Sequence, residues 1–244
     1  PEECARQARR GDGWIKIVAD WIDRSMGADA VVAPLFEPEI VKDAFAAAHE
    51  NGARVTAHTF STEAIGPLLE ADIDCIEHGS GMLPEHIEEA ARRGIPVTPT
   101  LIQSENFADF AEAGAAKFPA YAEQMRWLYE RRFELVRRLV GAGVQILAGS
   151  DAGGTLEHGT LPDELGLWVQ AGIDPLTALE LATWRARRYL ASGPGHAAER
   201  AARTGLREGA PADFVYYAED PAEALLTGRL EPTTVVRAGE EFGG

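Results

Sequence analysis

The feature that most limits the fold of this sequence is a regular alternation of short β-like runs with longer helical runs. Proline and glycine mark many of the changes, so that the helical run 37–52 opens on Pro38 and closes on Gly52. Short strands separated by such helices form parallel sheets with right-handed crossovers. The pattern alone allows either an open doubly wound sheet or a (β/α)8 barrel. The predicted strands are 14–20, 53–59, 74–79, 95–101 and 144–151.

The pattern changes after Gly193. A loop-like stretch, 193–205, precedes two segments rich in β-forming residues, 209–221 and 232–242. These segments predict a hairpin or a small sheet rather than another strand–helix unit. We therefore divide the chain into an α/β unit, residues 1–193, and a β appendage, residues 194–244.

The composition narrows the choice of partner. A formal net charge of -16 at pH 7 argues against nucleic acid and anionic membrane, because both bind cationic surfaces. A small-molecule substrate is the expected partner.

No apolar run reaches the roughly 20 residues that a membrane-spanning helix requires. The two cysteines, Cys4 and Cys75, make no disulfide framework, so the cytoplasm is the expected compartment.

Four ionisable residues stand in or near the ends of four predicted strands: Lys16, His58, His78 and Asp151. The carboxyl ends of parallel strands meet on one face of an α/β fold, so these side chains can share a cavity. Each also has a structural explanation. The histidines can be hydrogen-bonded structural residues, Asp151 can cap the Gly-rich turn that follows it, and Lys16 can pair with Asp20 or Asp151.

Lys16 is the hardest of the four to explain structurally. Basic positions in this chain are nearly always arginine, and the other lysines, Lys42 and Lys117, lie in polar helical stretches. Strand alternation places Lys16 on one face with Trp14 and Val18, where we expect it to be buried. A buried unpaired ammonium costs several kcal/mol or loses its proton.

The residue types at these strand ends indicate metal chemistry. Two histidines and an aspartate suit zinc or another first-row divalent metal. A neutral lysine is nucleophilic and can form a Schiff base with a carbonyl group or a carbamate with CO2. A carbamate is a carboxylate on a long stem that can bridge two metal ions, and arginine cannot provide it.

Taken together and in order, seven stretches of the sequence resemble the amidohydrolase superfamily of metal-dependent (β/α)8-barrel hydrolases. More narrowly, they resemble its imidazolonepropionase-like and binuclear Xaa-Pro dipeptidase-like branch. The last stretch is similar to the family's G-x-I-x-x-G-x-x-A-D segment, where the chain returns from the barrel to a small β-sandwich. The resemblance implies a TIM-type barrel with part of a β-sandwich appendage. The stretches are WIKIVAD, ARVTAHTFST, DCIEHGSGM, PVTPTL, QILAGSDAGG, EHGTLPDELGLWVQAGIDPLTALELATWRARRYL and GLREGAPADFVYYAEDP.

The resemblance also implies a role for each strand-end residue. Lys16 matches the lysine of the family's fourth strand, which is carbamylated by CO2 and bridges two divalent metal ions, with zinc as the expected metal. His58 and His78 match the histidines of the fifth and sixth strands, which bind the second metal. Asp151 matches the aspartate of the eighth strand, which binds the first metal and is the catalytic proton carrier.

The implied reaction is hydrolysis of an amide-like C–N bond by a hydroxide that bridges the metals, with Asp151 as general base and then general acid. A dipeptide or an N-acyl amino acid is the expected substrate, followed by a cyclic amide or carbamate ester. His158 and Gly159 match a His-Gly element beyond the eighth strand and are assigned to the substrate pocket. A homo-oligomer is also expected.

The sequence departs from the family pattern in two places. The His-x-His pair of the family's first strand is absent from these 244 residues. The predicted strands therefore correspond to strands 4 to 8, the C-terminal portion of the enzyme. We expect an upstream segment or a partner chain to supply strands 1 to 3, and the chain alone to be neither stable nor active. The second departure is ADWIDR at 19–24, where relatives carry small residues, which leaves the substrate open.

Other functions stay open at this point. A mononuclear deaminase or cyclic amidase of the same superfamily would not use Lys16. A Schiff-base lyase would use Lys16 as its nucleophile but would leave His58 and His78 without a task. A non-catalytic binding or assembly subunit would keep the fold with an incomplete metal site. The remaining histidines outside the matched motifs are expected to be structural: His49, His86 and His196.

Overall fold

The computed structural model describes residues 1–194 and 205–243 of the chain. Most of the predicted loop 193–205, and His196 with it, lies outside the described residues. The central element is a parallel sheet with the strand order β1-β4-β5-β6. Its strands are β1 (Trp14–Val18), β4 (Arg54–Thr59), β5 (Cys75–His78) and β6 (Val97–Thr98).

Helices connect these strands and cover one face of the sheet. Local signals fix several helix ends: the Ser61 hydroxyl accepts a hydrogen bond from the Ala64 N–H at 3.3 Å, and Gly94 ends a helix at φ 68°. The helices are α1 (Glu2–Ala8), α2 (Pro38–Glu50), α3 (Thr62–Glu70), α4 (Pro84–Arg93), α5 (Leu101–Glu105), α6 (Phe107–Gly114), α7 (Pro119–Gly141), α8 (Leu161–Gln170), α9 (Pro175–Glu180), a π-helical turn (Leu181–Arg185) and α10 (Ala186–Ala191).

The two faces of the sheet differ in chemistry. The face toward the helices is apolar and fully packed, with Val55, Ala57 and Ile76 all at 0% exposure. The opposite, open face carries the alternate residues of the same strands, which are mostly polar: Lys16, Thr56, His58, Cys75, Glu77 and Thr98. The candidate site therefore lies on the open face, toward the carboxyl ends of the strands.

The predicted fifth strand, 144–151, is reduced to a single parallel bridge between Val97 and Ile146. Backbone hydrogen bonds still hold it beside β6, because the Val97 N–H donates to Gln145 and the Leu147 N–H donates to Val97. The predicted strand 95–101 is likewise short. The predicted long helical stretch 106–143 is broken between Gly114 and Pro119, since proline favours the first turn of a new helix.

A two-stranded antiparallel ribbon follows β1 and has a core of its own. Its strands are β2 (Asp20–Ile22) and β3 (Val32–Pro34), joined through a 3-10 helix, Arg24–Asp29. The ribbon packs on the α6–α7 hairpin through a second apolar cluster. The buried members of that cluster are Val32, Phe60, Phe107, Ala111, Ala122, Met125 and Leu128.

The C-terminal region forms a small antiparallel sheet of β7 (Phe214–Tyr216), β8 (Thr234–Arg237) and β9 (Glu240–Gly243). A helix between β7 and β8, α11 (Pro221–Leu226), packs its Ala224 and Leu225 into the main core. Within residues 1–194 and 205–243, no helix has the length and apolarity needed to cross a membrane. The described fold is thus α/β, with one parallel and one small antiparallel sheet, and a closed barrel stays a prediction.

Candidate active site

Two buried histidines form the centre of the site. His58, near the end of β4, is 8% exposed, and His78, the last residue of β5, is 1% exposed. Their ring centroids are 4.7 Å apart. The predicted convergence of strand ends therefore brings these two side chains together.

His78 reaches His58 through an unusual backbone conformation. Its φ is 62°, in the left-handed region that residues with a Cβ rarely adopt. Glu77 lies on the open face of the sheet, opposite His58. Because successive strand residues point to opposite faces, His78 would point toward the helices if its backbone were regular. Thr100, at φ 44°, and Asp151, at φ 53°, have the same conformation where the neighbouring segments end. Strained backbone of this kind is concentrated at functional sites.

Thr100 favours one tautomer of His78. The Thr100 hydroxyl donates to the carbonyl of Pro99 at 2.8 Å, so it accepts a hydrogen bond from Nδ1–H of His78. The Nε2 atom of His78 therefore carries a lone pair rather than a proton.

The Nε2 atoms of both histidines are buried, and neither has a hydrogen-bond partner within the described part of the chain. Burial lowers the pKa of His58, and Lys16 adds to this, whereas Asp20, Asp151 and Glu77 act to raise it. Burial, with His58 and Lys16, holds the pKa of His78 well below its usual range. The pair is thus favoured in the neutral form, in which imidazole binds metals.

Asp20 is a fully buried carboxylate beside His58. It accepts hydrogen bonds from the Thr59 hydroxyl at 2.7 Å and from the backbone N–H groups of Phe60 and Ser61 at 2.8 and 2.7 Å. Its Oδ1 lies 3.7 Å from Nε2 of His58. Asp20 therefore joins the start of β2 to the turn after β4 and places negative charge next to His58.

Lys16 differs from the expectation that it is buried. Its side chain is 48% exposed, and its ammonium pairs with Glu77 rather than with Asp20 or Asp151. The reason is its place on β1, which has β4 on one side and no strand partner on the other within the described residues. Glu77 also accepts a hydrogen bond from the Thr56 hydroxyl at 2.9 Å, so this carboxylate links β1, β4 and β5.

Asp151, His158 and Gly159 lie in the segment that follows the bridge to β6, and all three are exposed. The negative charge of Asp151 acts to raise the pKa of His58. A Cβ on Gly153 would lie 3.7 Å from the His158 ring, so His158 packs over the Gly-rich turn after Asp151.

Aromatic rings surround the histidine pair. The Phe60 ring is 4.4 Å from that of His58 and 4.9 Å from that of His78, and it contacts Phe107 of the second apolar cluster at 4.9 Å. Trp21, on the ribbon, is 5.6 Å from His58 and 51% exposed. Phe60 is thus a rigid apolar wall, and Trp21 leaves much of its surface open to solvent.

The donor set suits a divalent metal only in part. The two unpartnered imidazole nitrogens fit zinc or a similar ion. Within residues 1–194 and 205–243, however, no group of three or more His, Cys, Asp or Glu side chains is arranged to hold a metal. The described residues therefore supply a histidine pair that needs further ligands.

Sequence reasoning missed several residues of the site. Glu77 could have been found, since strand alternation puts it on the same face as Lys16 and His58. Asp20 was considered only as a partner of Lys16, and Thr100 and Phe60 gave no local signal, because the roles of all three depend on contacts between segments far apart in the chain. Two other histidines have structural partners: His49 lies 2.8 Å from Asp74, and His86 accepts from the Leu83 N–H.

The chain is similar in sequence to a known protein family and to several known proteins. The model of the amidohydrolase family matches residues 1–241. Uncharacterized proteins of Mycobacterium tuberculosis and Mycobacterium bovis are each 43% identical over 244 residues, which is 100% of this chain and 61% of each relative. The chain thus spans less than two thirds of the length of the curated relatives that it matches.

Several solved structures have a fold similar to that of this chain. A Xaa-Pro dipeptidase superposes with a TM-score of 0.79 at 23% identity, over 100% of this chain and 59% of that one. An ochratoxinase of A. niger superposes with a TM-score of 0.77 at 27% identity, over 100% of this chain and 54% of that one. Such neighbours imply an α/β fold of the TIM-barrel type. With the family model matched from residue 1 to residue 241, the chain belongs to the amidohydrolase family.

Proposed function

We propose that this chain carries part of the active site of a metal-dependent hydrolase that cleaves an amide-like C–N bond, with a dipeptide or an N-acyl amino acid as substrate. The observation that carries the proposal is that the Nε2 atoms of His58 and His78 are both buried and have no hydrogen-bond partner among the described residues. Leaving two polar atoms buried without partners costs free energy, which a bound metal ion would recover. Family membership supports hydrolysis of this general kind.

Each site residue has a task in this proposal. His58 and His78 would hold a divalent metal, zinc in the first instance, and Lys16 as a carbamate would join it to a second ion. Bound metal supplies Lewis acidity toward the scissile carbonyl and a water molecule. Asp151 would accept the proton of the attacking water and pass it to the leaving amine, a role that its exposure to solvent and its influence on the charge state of His58 support. His158 and Gly159 would contact the substrate from the turn after Asp151.

The remaining ligands are proposed to come from sequence outside these 244 residues. A segment of the same protein, or a partner chain, would supply the His-x-His pair and strands 1 to 3. The relatives' additional length leaves room for such a segment.

One observation favours a second candidate, a mononuclear deaminase or cyclic amidase. The Nζ atom of Lys16 is already engaged by the carboxylate of Glu77, whereas carbamate formation needs this nitrogen free to react with CO2. In this case Lys16 would hold Glu77 in place, and His58 and His78 would bind a single ion.

The test is metal content by elemental analysis on the longest natural form of the protein, combined with a hydrolysis screen of dipeptides and N-acyl amino acids. The variant is Lys16→Ala, and the matched control is Lys42→Ala, which removes an exposed lysine from α2. The binuclear proposal expects about two metal ions per chain in wild type and in the control, with loss in Lys16→Ala. Added bicarbonate with a short carboxylic acid should restore the metal.

The other outcomes are equally informative. One ion per chain that is insensitive to Lys16→Ala would support the mononuclear candidate. No metal in wild type, together with no hydrolysis in the screen, would overturn both and leave a binding or assembly subunit.

A further inference from the structure

The ribbon after β1 presents an indole ring to the histidine pair and holds it there. Trp21 is the middle residue of β2, and both of its neighbours are anchored. Asp20 is fully buried with its hydrogen bonds to Thr59, Phe60 and Ser61. On the other side, Ile22 packs against the second apolar cluster. Trp21 therefore cannot turn into the core without breaking one of these anchors.

The far strand of the ribbon is fixed as well. Gln124 of α7 accepts a hydrogen bond from the Val32 N–H at 2.7 Å and donates one to the Val32 carbonyl at 3.0 Å. This side chain pairs with both backbone groups of Val32, as a neighbouring strand would. The ribbon is thus a firm support for Trp21 rather than a loose loop.

The exposure of Trp21 has no explanation in the packing of the described residues. The residue is 51% exposed, and its ring contact is with His58, at 5.6 Å between centroids and 47° between planes. Val18, the strand neighbour of His58 on the same face, is 42% exposed. Trp21 and Val18 are thus two exposed apolar side chains that neighbour His58, and we call them the apolar shelf.

The charged groups close to the shelf have partners among the described residues, apart from Asp151, which has the proton-transfer role in the proposed function. Lys16 is paired with Glu77, and Asp20 has its three donors. On the other side of His58, Phe60 closes the site with a second aromatic ring at 4.4 Å. The surroundings therefore favour an apolar group over a charged one next to the reacting bond.

We infer that Trp21 is a substrate-binding residue that selects for an aromatic or bulky apolar side chain adjacent to the scissile amide. The inference rests on the proposed function, whose site it refines. Aromatic rings gain from offset or edge-to-face contact in addition to the area that they bury, and a small side chain such as methyl cannot make that contact. Trp21 thus supplies discrimination between substrates that share the same reacting group.

The test compares two probes that differ only in this side chain: L-phenylalanine hydroxamate and L-alanine hydroxamate. Both chelate metal through the same group, so binding can be measured without turnover. Dissociation constants are measured by calorimetry on the zinc-loaded, longest natural form of the protein, for wild type, Trp21→Ala and Trp21→Phe. The control is Trp184→Ala, which removes a tryptophan of similar exposure, 55%, from the π-helical turn.

Wild type and Trp184→Ala should bind the phenylalanine probe more tightly than the alanine probe. Trp21→Ala should reduce that preference by roughly tenfold, and Trp21→Phe should keep most of it. An unchanged preference in Trp21→Ala, no preference in wild type, or no binding of either probe would overturn the inference. A lost preference in Trp21→Ala, in a protein that hydrolyses nothing in the substrate screen, would support the shelf while rejecting the proposed hydrolase. Circular dichroism and thermal unfolding would show that the variants are folded.

Discussion

At the scale of single residues, the two site histidines are held in different ways. His78 has a hydroxyl partner on Nδ1, from Thr100, whereas His58 is positioned between rings and next to the charge of Asp20. Partners of this kind orient metal-binding imidazoles and fix their tautomer. The orientation of His78 should therefore depend on a residue that touches neither metal nor substrate.

Replacing Thr100 by valine tests this dependence. Thr100→Val keeps the branched shape at a buried position and removes the hydroxyl that accepts from His78. We expect zinc affinity, measured by competition with a chelator, to fall by roughly 10–100-fold. Thr100→Ser keeps the hydroxyl and should stay close to wild type. Equal zinc affinity in the valine variant would show that Thr100 does not position His78.

Glu164 provides a pH-dependent prediction away from the histidines. It is fully buried in α8 and accepts hydrogen bonds from the Leu101 N–H, the Ile102 N–H and the Trp168 indole at 2.9, 2.7 and 2.8 Å. Burial nevertheless raises its pKa from 4.5 to about 7, because desolvation destabilises the carboxylate more than these three hydrogen bonds stabilise it. Folding therefore favours the protonated form.

The stabilisation linked to Glu164 is complete below pH 4.5 and is lost as the pH rises through about 7. Glu164→Gln removes the titrating group and should remove this part of the pH dependence. Relative to the glutamine variant, wild type should lose up to about 3 kcal/mol of unfolding free energy over that window. Urea unfolding of both proteins between pH 4.5 and 8 measures the difference. Parallel pH profiles would contradict the raised pKa.

At the scale of elements, the segment 144–151, which is bridged to β6, approaches that strand too closely for a side chain at Gly149. A Cβ built on Gly149 would lie 2.7 Å from the methyl carbon of Thr98. Gly149 is thus needed for contact rather than for backbone freedom, and this contact helps to set where Asp151 begins its turn.

Gly149→Ala should destabilise the protein by about 1–3 kcal/mol, because the new methyl group overlaps that of Thr98. Adding Thr98→Ser removes the opposing methyl group and should restore most of the loss. Gly166→Ala is the control, since a Cβ there meets nothing within 4 Å, and an alanine in the middle of α8 favours the helix. Chemical unfolding gives the free energies. A double variant no more stable than Gly149→Ala would refute the steric explanation.

The ribbon offers a second prediction at this scale. Gln124→Met keeps the length of the side chain and removes both hydrogen bonds to Val32. We expect a loss of about 1–3 kcal/mol in stability, because two backbone groups lose their partners. Hydrogen exchange of a peptide spanning 20–34 should become faster in the variant, while a β5 peptide stays protected. Unchanged exchange over 20–34 would show that Gln124 does not hold the ribbon.

The same contrast between local and distant contacts decides what the sequence could predict. The Ser61 cap, the left-handed Gly94 and the strands ending at His58 and His78 follow from neighbouring residues and alternation. The exposure of Lys16 and its pairing with Glu77 do not, since they depend on which strands flank β1. The left-handed backbone of His78 is equally invisible, because a non-glycine residue adopts it only when surrounding contacts over-determine it.

At the scale of the whole molecule, the notable feature is an edge of β1 left unpaired by the described residues. It pairs with β4 on one side, and no strand pairs with its other side within the described residues. A groove of about 410 Å³ runs beside it, lined by residues of α1, β1 and α2 and by exposed Leu35 and Phe36. An open strand edge next to apolar surface is a site for pairing with another segment.

We therefore expect residues 1–244 alone to be less stable than a longer form that carries the proposed strands 1 to 3. Hydrogen exchange followed by mass spectrometry on a peptide spanning β1 should be fast in the 244-residue chain and slow in the longer protein, because the added strand would pair with the free edge. A peptide spanning β5, which has strands on both sides, is the internal control and should be protected in both forms. The midpoint of thermal unfolding should rise together with β1 protection. If β1 exchanges equally slowly in both forms, the edge is already satisfied by other means, and the proposed closure of a barrel at β1 would have to be abandoned.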